Sequence, residues 1–256
     1  IKDDISKYDV ELNNIEHATS DKNDLEAKKE ELKNQLNIFE KDFASINREK
    51  FNKENNYGKL IGRLLFGNAK VGTIVNFGTY EYNIETDHKT FNTKDKIEWK
   101  VLAKDNNKIL IISKYALDKR PFNTSKTAVT WETCSLRTWL NDSFYNKAFS
   151  DEEKQSIATS TVKANVNPDF STKQGKDTID KVFLLSVKEA NKYFSSNIDR
   201  KCKTMMPRDK ECVWWLRTSG GASAYAAGVD GAGNVSSGGF YVGGSDNAVR
   251  PALWID

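Results

Sequence analysis

Residues 220–247 contain no Lys, Glu, Gln, Met or Trp, although Lys and Glu are abundant in the rest of the chain. The segment consists mainly of small and turn-forming residues, and valines recur in and just after it at six- or seven-residue intervals. The valines are Val229, Val235, Val242 and Val249. This pattern predicts short strands joined by tight turns, with the valines as inward anchors and the intervening positions exposed and permissive. Tight packing of turn-rich strands would also exclude bulky residues, so a plain Gly-rich loop region stays open.

Upstream of this segment the sequence predicts strands followed by helices. Residues 73–80, 97–102 and 108–113 read as strands, with residues 105–107 as a turn. An apolar helical face follows, consisting of Leu136, Trp139, Leu140, Phe144 and Phe149. Capping boxes at residues 150–153 and 186–189 open two more helices, and residues 181–185 read as a short buried strand. Strands, then helices, then strands is the order of an α+β domain.

The pattern of residues 1–56 predicts a helix, because apolar residues recur at three- and four-residue steps and this stretch contains no Pro or Gly. The first run is Ile1, Ile5, Tyr8, Leu12 and Ile15, and the second is Leu32, Leu36, Phe39, Phe43 and Ile46. The runs are out of phase across residues 18–24, which favours an interrupted coiled coil, while a turn between two antiparallel helices remains the alternative. We expect a helical stalk over 1–57, a linker over 58–69 and a ligand-binding domain over 70–256, with homo-oligomer formation through residues 1–57.

Composition limits the classes of partner. The 39 basic and 36 acidic residues are nearly balanced and unclustered, so nucleic acid is not an expected partner. No apolar run approaches the roughly 18 residues of a membrane span. We expect an extracellular or cell-surface location, a virion included, with any signal or anchor outside the numbered chain. Cys134, Cys202 and Cys212 form no zinc motif; Cys202 and Cys212 could close a disulfide loop, although three reduced thiols are favoured.

The sequence offers few catalytic groups. His17 lies in the helical segment and His88 in a polar loop, and neither has a nucleophile or carboxylate at a suggestive spacing. No nucleophile elbow, zinc-protease motif or phosphate-binding loop occurs. Residues 230–234 lack the alternating acidic ligands of a calcium loop, so they predict a tight turn. We therefore expect no catalysis, no cofactor and no metal.

Several sequence blocks together resemble one family. They are residues 214–220 (Trp-Trp-Leu-Arg-Thr-Ser-Gly), 249–255 (Val-Arg-Pro-Ala-Leu-Trp-Ile), 77–80, 97–102, 135–141 and 181–186. They are similar to a C-type-lectin-fold family that includes the variable proteins of bacterial and phage diversity-generating retroelements. The resemblance covers about residues 70–256 and implies a C-type-lectin-like α+β domain after the helical segment.

The resemblance also implies an origin for the restricted composition of residues 220–247. In such systems, template adenines are miscopied into the variable gene. Randomising the first two bases of Asn codons that end in a pyrimidine never yields Lys, Glu, Gln, Met or Trp, and readily yields Gly, Ala, Ser, Asp, Tyr and Phe. The five missing residue types are therefore those expected from this mechanism.

The predicted function is ligand binding through an exposed face within residues 222–247. The candidate positions are Ala222, Ser223, Ala224, Tyr225, Ala227, Asp230, Gly231, Ser236, Ser237, Phe240, Tyr241, Gly244, Asp246 and Asn247. Aromatic rings supply contact area at low entropy cost, and small polar residues supply adaptable hydrogen bonds. Phe240 and Tyr241 alternate, so at least one of them should face the core. The expected scaffold residues are Trp214, Trp215, Arg217, Arg250 and Trp254, with the arginines bonding buried carbonyls or acids.

The resemblance implies a protein or glycan partner on another cell or phage surface. One alternative is a fixed carbohydrate- or protein-binding module of a bacterial surface protein, whose segment would not vary. Another is an enzyme related to formylglycine-generating oxidases, which share this fold class and need a reactive cysteine site. The three cysteines match no such pattern.

Overall fold

The structure is a computed structural model, and it describes residues 22–48, 66–86, 89–105, 108–205 and 210–256. The chain divides into two compact units, Ile1–Asn56 and Tyr57–Asp256. In the first unit, helix α1 (Lys22–Arg48) is 27 residues long and contains the second predicted apolar run. Leu32 and Phe39, seven residues apart on this helix, are buried. The first predicted run lies outside the described residues, so coiled-coil formation stays a prediction.

The second unit contains a four-stranded antiparallel sheet in the order β1-β2-β3-β11. Its strands are β1 (Ile74–Thr86), β2 (Lys89–Asp105), β3 (Lys108–Ser113) and β11 (Ala252–Ile255). All three strands predicted upstream are therefore confirmed, and two are longer than predicted. Ile97, Trp99 and Val101 alternate along β2 and are fully buried, which places one face of this sheet against the core.

A second sheet has five strands in the order β4-β10-β7-β8-β9. The strands are β4 (Asp118–Lys119), β7 (Trp214–Ser219), β8 (Tyr225–Val229), β9 (Val235–Tyr241) and β10 (Ala248–Val249). All described pairings in it are antiparallel except that of β10 with β7. Strand β7 is buried along its whole length, so the core lies on both of its faces. A separate two-stranded sheet joins β5 (Ser160–Val162) to β6 (Thr178–Asp180).

The helices lie between the strands in the chain. Helix α2 (Ser135–Trp139), a π-helical turn (Leu140–Phe144) and helix α3 (Tyr145–Ala148) follow one another, and α4 (Asp151–Ser156), α5 (Val187–Tyr193) and α6 (Asn197–Arg200) follow them. Both predicted capping boxes are confirmed, with Ser150 and Ser186 as the capping residues. The described part of this unit is thus a mixed α+β fold dominated by sheets, as the order of elements predicted.

The prediction of a strand at residues 181–185 was wrong, because these residues do not form a continuous strand. These residues are mostly buried, but only Phe183 forms a bridge, to Ala252. The carbonyl oxygens of Leu184 and Leu185 accept hydrogen bonds from the Arg217 guanidinium and the Arg217 backbone N–H. The buried Arg217 side chain therefore satisfies one of these carbonyl groups and the Arg217 backbone N–H satisfies the other, without a continuous strand pairing.

Candidate functional site

The hairpin of β8 and β9 places two exposed tyrosines side by side. Tyr225 is paired in register with Tyr241, and the ring centroids are 6.0 Å apart in an edge-on arrangement. The two residues are 40% and 38% exposed. Because β9 is the last strand in the order of its sheet, this pair lies at an edge that a ligand could approach.

A third exposed aromatic residue, Phe170, lies beside the same hairpin and is 41% exposed. A Cβ atom added at Gly221 or Gly238 would lie 3.2 or 3.7 Å from the Phe170 ring, so the ring rests against these two glycines. We call Phe170, Tyr225 and Tyr241 the aromatic face. Phe170 is not among the positions predicted for the binding face, because it lies about 50 residues before the glycine-rich segment and only tertiary contacts bring it there.

Two hydrogen-bonded side chains bring the Phe170 loop to the hairpin. The Asn167 side-chain amide donates to the carbonyl oxygens of Ser219 and Ser237, both at 2.8 Å. The Thr172 hydroxyl donates to the Gly220 carbonyl oxygen at 2.7 Å. Polar residues on either side of Phe170 therefore bond the backbone of both β7 and β9, which holds the third ring in place.

Close packing explains part of the restricted composition. A Cβ atom added at Gly220 would lie 2.4 Å from the Gly238 carbonyl oxygen. One added at Gly228 would lie 2.9 Å from the Trp214 carbonyl oxygen. At Gly239, where φ is +76°, it would lie 2.1 Å from the Ala226 carbonyl oxygen. No side chain fits at these three positions without moving the backbone, so they are glycine for structural reasons.

The structure distributes the predicted face positions over three environments. Exposed residues are Ala222, Ser223, Tyr225, Tyr241 and Asp246; half-buried residues are Ala224, Asp230, Gly231, Ser236, Ser237, Phe240, Gly244 and Asn247. Ala227 is fully buried, and its expected place on the exposed face was wrong. The reason is that four consecutive residues of β8 are buried, so this strand is covered on both sides and does not alternate.

Phe240 contributes to the core, not to the aromatic face. Its ring packs edge-on against Trp215, with the centroids 6.3 Å apart, whereas Tyr241 is exposed. This confirms the expectation that one of the two adjacent aromatic residues faces inward. The valine anchors are confirmed too: Val229, Val242 and Val249 are fully buried, and Val235 packs against the core.

Residues 230–234 form the predicted turn. The Asp230 carboxylate accepts hydrogen bonds from the Asn234 backbone N–H at 2.8 Å and from its side-chain amide at 2.9 Å. These bonds hold the pKa of Asp230 below its usual range. The turn lies five residues along β8 from Tyr225, or about 16 Å at the usual strand rise. Asp230 and Gly231 are therefore at the opposite end of the hairpin from the aromatic face.

The predicted scaffold arginines are buried and bonded as expected. Arg217 donates to the carbonyl oxygens of Leu184 and Lys163 and forms an ion pair with Glu189. Arg250 donates to the Ser113 carbonyl oxygen at 3.0 Å. Because these bonds cross between distant segments, the two arginines fix the frame on which the hairpin lies.

The three cysteines are free and buried, which agrees with the favoured prediction of reduced thiols. Burial raises the pKa of Cys134 to about 12. Cys202 and Cys212 lie opposite each other, and the Cys212 N–H donates to the Cys202 carbonyl oxygen at 3.0 Å. The interaction between their thiols lowers the pKa of Cys202 and raises that of Cys212.

Three further observations concern catalysis, metals and membranes. His17 and His88 both lie outside the described residues. Within the described ranges, no group of three or more His, Cys, Asp and Glu side chains is arranged to hold a metal ion. None of the helices that the structure describes is long and apolar enough to cross a membrane.

Comparison with known families identifies the family to which most of the second unit is similar. Residues 106–256, more than half of the chain, match the family described as Domain of unknown function (DUF6273). The chain belongs to this family. The DUF6273 match begins just before β3 and includes the five-stranded sheet and all three residues of the aromatic face. No curated protein and no solved structure matches the chain.

Proposed function

We propose that this chain is a non-catalytic ligand-binding protein of the receptor or adhesin type, and that the aromatic face is its contact surface. The main observation in support is that Tyr225 and Tyr241 are exposed and lie opposite each other on the β8–β9 hairpin, whose glycines are closely packed. Tyrosine is enriched at binding surfaces because its ring buries a large area and its hydroxyl satisfies a polar partner.

Rigidity supports this proposal. Gly220, Gly228 and Gly239 are packed against backbone atoms, and Asn167 bonds both strands that flank the face. A contact surface that is already ordered loses less conformational entropy when a ligand binds. Small exposed side chains such as Ala222 and Ser223 beside the rings leave room for a protein or glycan surface to approach.

The proposal includes a C-type-lectin-like domain whose face is diversified by a retroelement. Support comes from the sequence blocks that resemble that family and from the exposed positions in residues 220–247. The packing restricts the hypothesis to exposed positions such as Ala222, Ser223, Tyr225, Tyr241 and Asp246. We propose a surface location on a cell or virion, with a partner on another cell or phage. An oligomeric N-terminal helix would raise the avidity of weak contacts.

A fixed protein- or carbohydrate-binding module of a bacterial surface protein is the second candidate. The observation that favours it is the close packing at Gly220, Gly228 and Gly239. The absence of large residue types from residues 220–247 is thereby explained in part by steric exclusion, which acts in any protein with this backbone. Under this alternative the aromatic face recognises one dominant ligand.

Sequencing of the 3′ end of the gene, in one clonal population and in sister isolates, separates the two candidates. Diversification predicts substitutions at exposed codons such as those of Ser223, Tyr225 and Tyr241, with Gly228, Gly239 and the buried valines unchanged. An identical segment in all isolates would exclude diversification and leave the fixed module.

Binding itself is tested with the Tyr225→Ala and Tyr241→Ala variants on arrays of glycans and of cell-surface proteins. We expect each variant to keep the wild-type melting temperature and to lose about tenfold in affinity or more for any ligand of the parent protein. Ile179→Ala is the matched control, because Ile179 is an exposed apolar residue on β6, in the separate two-stranded sheet. Equal losses in all three variants would contradict the proposed surface.

A further inference from the structure

A cleft of about 550 Å³ lies in the second unit, between β1, residues 116–120, the π-helical turn and residues 204–205. Small-molecule sites typically have volumes of roughly 300–1,000 Å³, so the cleft has the size of such a site. None of the residues of the aromatic face lines it. The cleft is therefore separate from the surface to which we assign the proposed function.

Arg120 is held in a fixed position at this cleft. Its Nε donates to Asp118 Oδ2 at 2.8 Å, and its guanidinium carbon lies 4.2 Å from the centroid of the Trp139 ring. Its backbone is bonded as well, because the Arg120 N–H donates to the Asn247 carbonyl oxygen and Trp215 Nε1 donates to the Arg120 carbonyl oxygen. Stacking and ion pairing together orient the guanidinium plane before any ligand arrives.

The terminal nitrogens of this guanidinium are available. Asp118 is fully engaged, because its Oδ2 also accepts from the Tyr80 hydroxyl and its Oδ1 accepts from the Lys119 N–H, each at 2.8 Å. Among the residues that the structure describes, Nη1 and Nη2 of Arg120 have no hydrogen-bond partner, and the side chain is 42% exposed. An arginine fork in this state matches the two oxygens of a carboxylate or phosphate.

The surrounding charges favour an anion. The charged side chains that line the cleft are Glu81, Asp118, Lys119, Arg120 and Lys147, which makes three cations and two carboxylates. Asp118 is already paired with Arg120 and also accepts a hydrogen bond from the Tyr80 hydroxyl. Lys119 and Lys147 form no ion pair with any of the described residues. The unsatisfied charge is therefore mainly positive.

We propose that this cleft binds a small organic anion, a carboxylate or a phosphate ester. Nη1 and Nη2 of Arg120 hold two oxygens of the anionic group end-on, Lys147 adds long-range attraction, and the apolar part of the ligand lies along Trp139. This inference goes beyond the proposed function and uses none of its residues. Either one can therefore fail without affecting the other.

The test uses the full chain labelled with ¹⁵N, whose six Trp residues give six indole N–H signals in a two-dimensional spectrum. The Trp139→Phe variant assigns the Trp139 signal. Four probes are titrated: benzoate, phenyl phosphate, inorganic phosphate and benzyl alcohol as the neutral analogue. We expect a saturable shift of the Trp139 signal with at least one of the two aromatic anions and none with benzyl alcohol.

Variants then locate the binding group. Arg120→Gln should weaken the binding of the responding anion by about tenfold or more, because a charge-assisted bidentate contact is lost. Lys147→Gln changes an exposed side chain that bonds no other described residue, so it keeps the fold and should weaken binding about two- to fivefold. Lys188→Gln on α5 removes the same charge at a position outside the cleft lining and should have no effect.

Three results would overturn the proposal: no saturable shift with either aromatic anion, equal binding of benzyl alcohol, or unchanged affinity in Arg120→Gln. A preference between benzoate and phenyl phosphate would assign the carboxylate or the phosphate ester as the ligand group. Inorganic phosphate binding as tightly as phenyl phosphate would contradict the assigned role of Trp139 in holding the apolar part.

Discussion

At the scale of single residues, the glycine-rich segment contains positions of two kinds. Gly233 has φ of +87°, and a Cβ atom there would lie 1.8 Å from the Asn197 carbonyl oxygen. Gly231, two residues earlier in the same turn, has nothing nearer than 4.0 Å from a Cβ atom. The same residue type is thus required in one place and replaceable in the other, and only the backbone environment distinguishes them.

We expect Gly233→Ala to lower the free energy of unfolding by roughly 2 kcal/mol or more, because the backbone conformation is strained for alanine and the Asn197 backbone must move. Gly231→Ala should change it by less than about 0.5 kcal/mol. Urea unfolding followed by circular dichroism measures both. Similar midpoints for the two variants would show that the turn tolerates side chains and would remove this structural reason for glycine.

Arg217 gives a second prediction at the residue scale. Arg217→Met keeps an unbranched side chain but leaves the carbonyl oxygens of Leu184 and Lys163 without their donor and the Glu189 carboxylate without its ion-pair partner. We expect a loss of about 3–5 kcal/mol in the free energy of unfolding, as for other broken buried ion pairs.

The control for this prediction is Glu189→Gln. It keeps an oxygen that can accept from Arg217, so its loss should be clearly smaller than that of Arg217→Met. Chemical denaturation of both variants, with reversibility checked, measures the difference. A loss of less than 1 kcal/mol in Arg217→Met would mean that solvent, and not Arg217, satisfies those carbonyl groups.

At the scale of secondary-structure elements, the short helices depend on their caps. The Cys134 sulfur accepts a hydrogen bond from the Arg137 N–H and so caps α2, while Ser150 and Ser186 cap α4 and α5 through full capping boxes. Helices of four to seven residues are too short to be stable by themselves. Their ends are therefore fixed by caps and by burial of one face.

Cys134, which caps α2, makes the stability of the fold depend on pH. Its ordinary pKa of 9.0 rises to about 12 in the folded protein because the thiol is buried. Between these values the unfolded chain loses the proton and the folded chain keeps it. The contribution of this thiol to the free energy of unfolding is therefore fully present below pH 9. As the pH rises towards 12, the free energy of unfolding falls by up to about 1.4 kcal/mol per pH unit.

The Cys134→Ser variant should lack this dependence, since a serine hydroxyl keeps the cap and does not titrate in this range. We expect the difference in unfolding free energy between the parent and Cys134→Ser to shrink by about 2 kcal/mol from pH 8.5 to pH 10.5. Denaturation under reducing conditions at both pH values measures it. A difference that is independent of pH would contradict the raised pKa of the Cys134 thiol.

At the scale of the whole molecule, two units carry separate proposed roles. The N-terminal unit contains α1, with Leu32 and Phe39 buried seven residues apart, and the C-terminal unit contains the aromatic face. Light scattering should give an oligomeric mass for the full chain and a monomeric mass for residues 57–256. Monomeric mass for the full chain would remove avidity from the proposed function.

The local sequence predicted the elements whose signals lie within a few residues. The alternation in residues 97–102 and 108–113 predicted β2 and β3, and Ser150 and Ser186 predicted the starts of two helices. Period-two patterning and capping depend on neighbouring side chains, so the sequence contains them directly. The strand predicted at residues 181–185 was wrong, because a buried apolar run does not reveal that Arg217 bonds its carbonyl oxygens.

The candidate sites were less predictable, because they join residues distant in sequence. Valine spacing located the hairpin and its tyrosines, but nothing in the sequence places Phe170 beside Gly221 and Gly238. The Arg120–Trp139 stack likewise joins a loop to a helix. Ala227 was assigned to the exposed side because the positions between the valines were expected to be exposed, whereas both faces of β8 are covered.

The sequence by itself determined the α+β order, the inward valines and the composition of the hairpin, since these depend on side-chain size, polarity and local spacing. Tertiary structure alone decided which glycines are obligatory, which aromatic rings are exposed and where Arg120 presents its guanidinium. Those properties depend on what lies opposite each residue in the fold. Close packing and burial are fixed only when segments far apart in the chain come into contact.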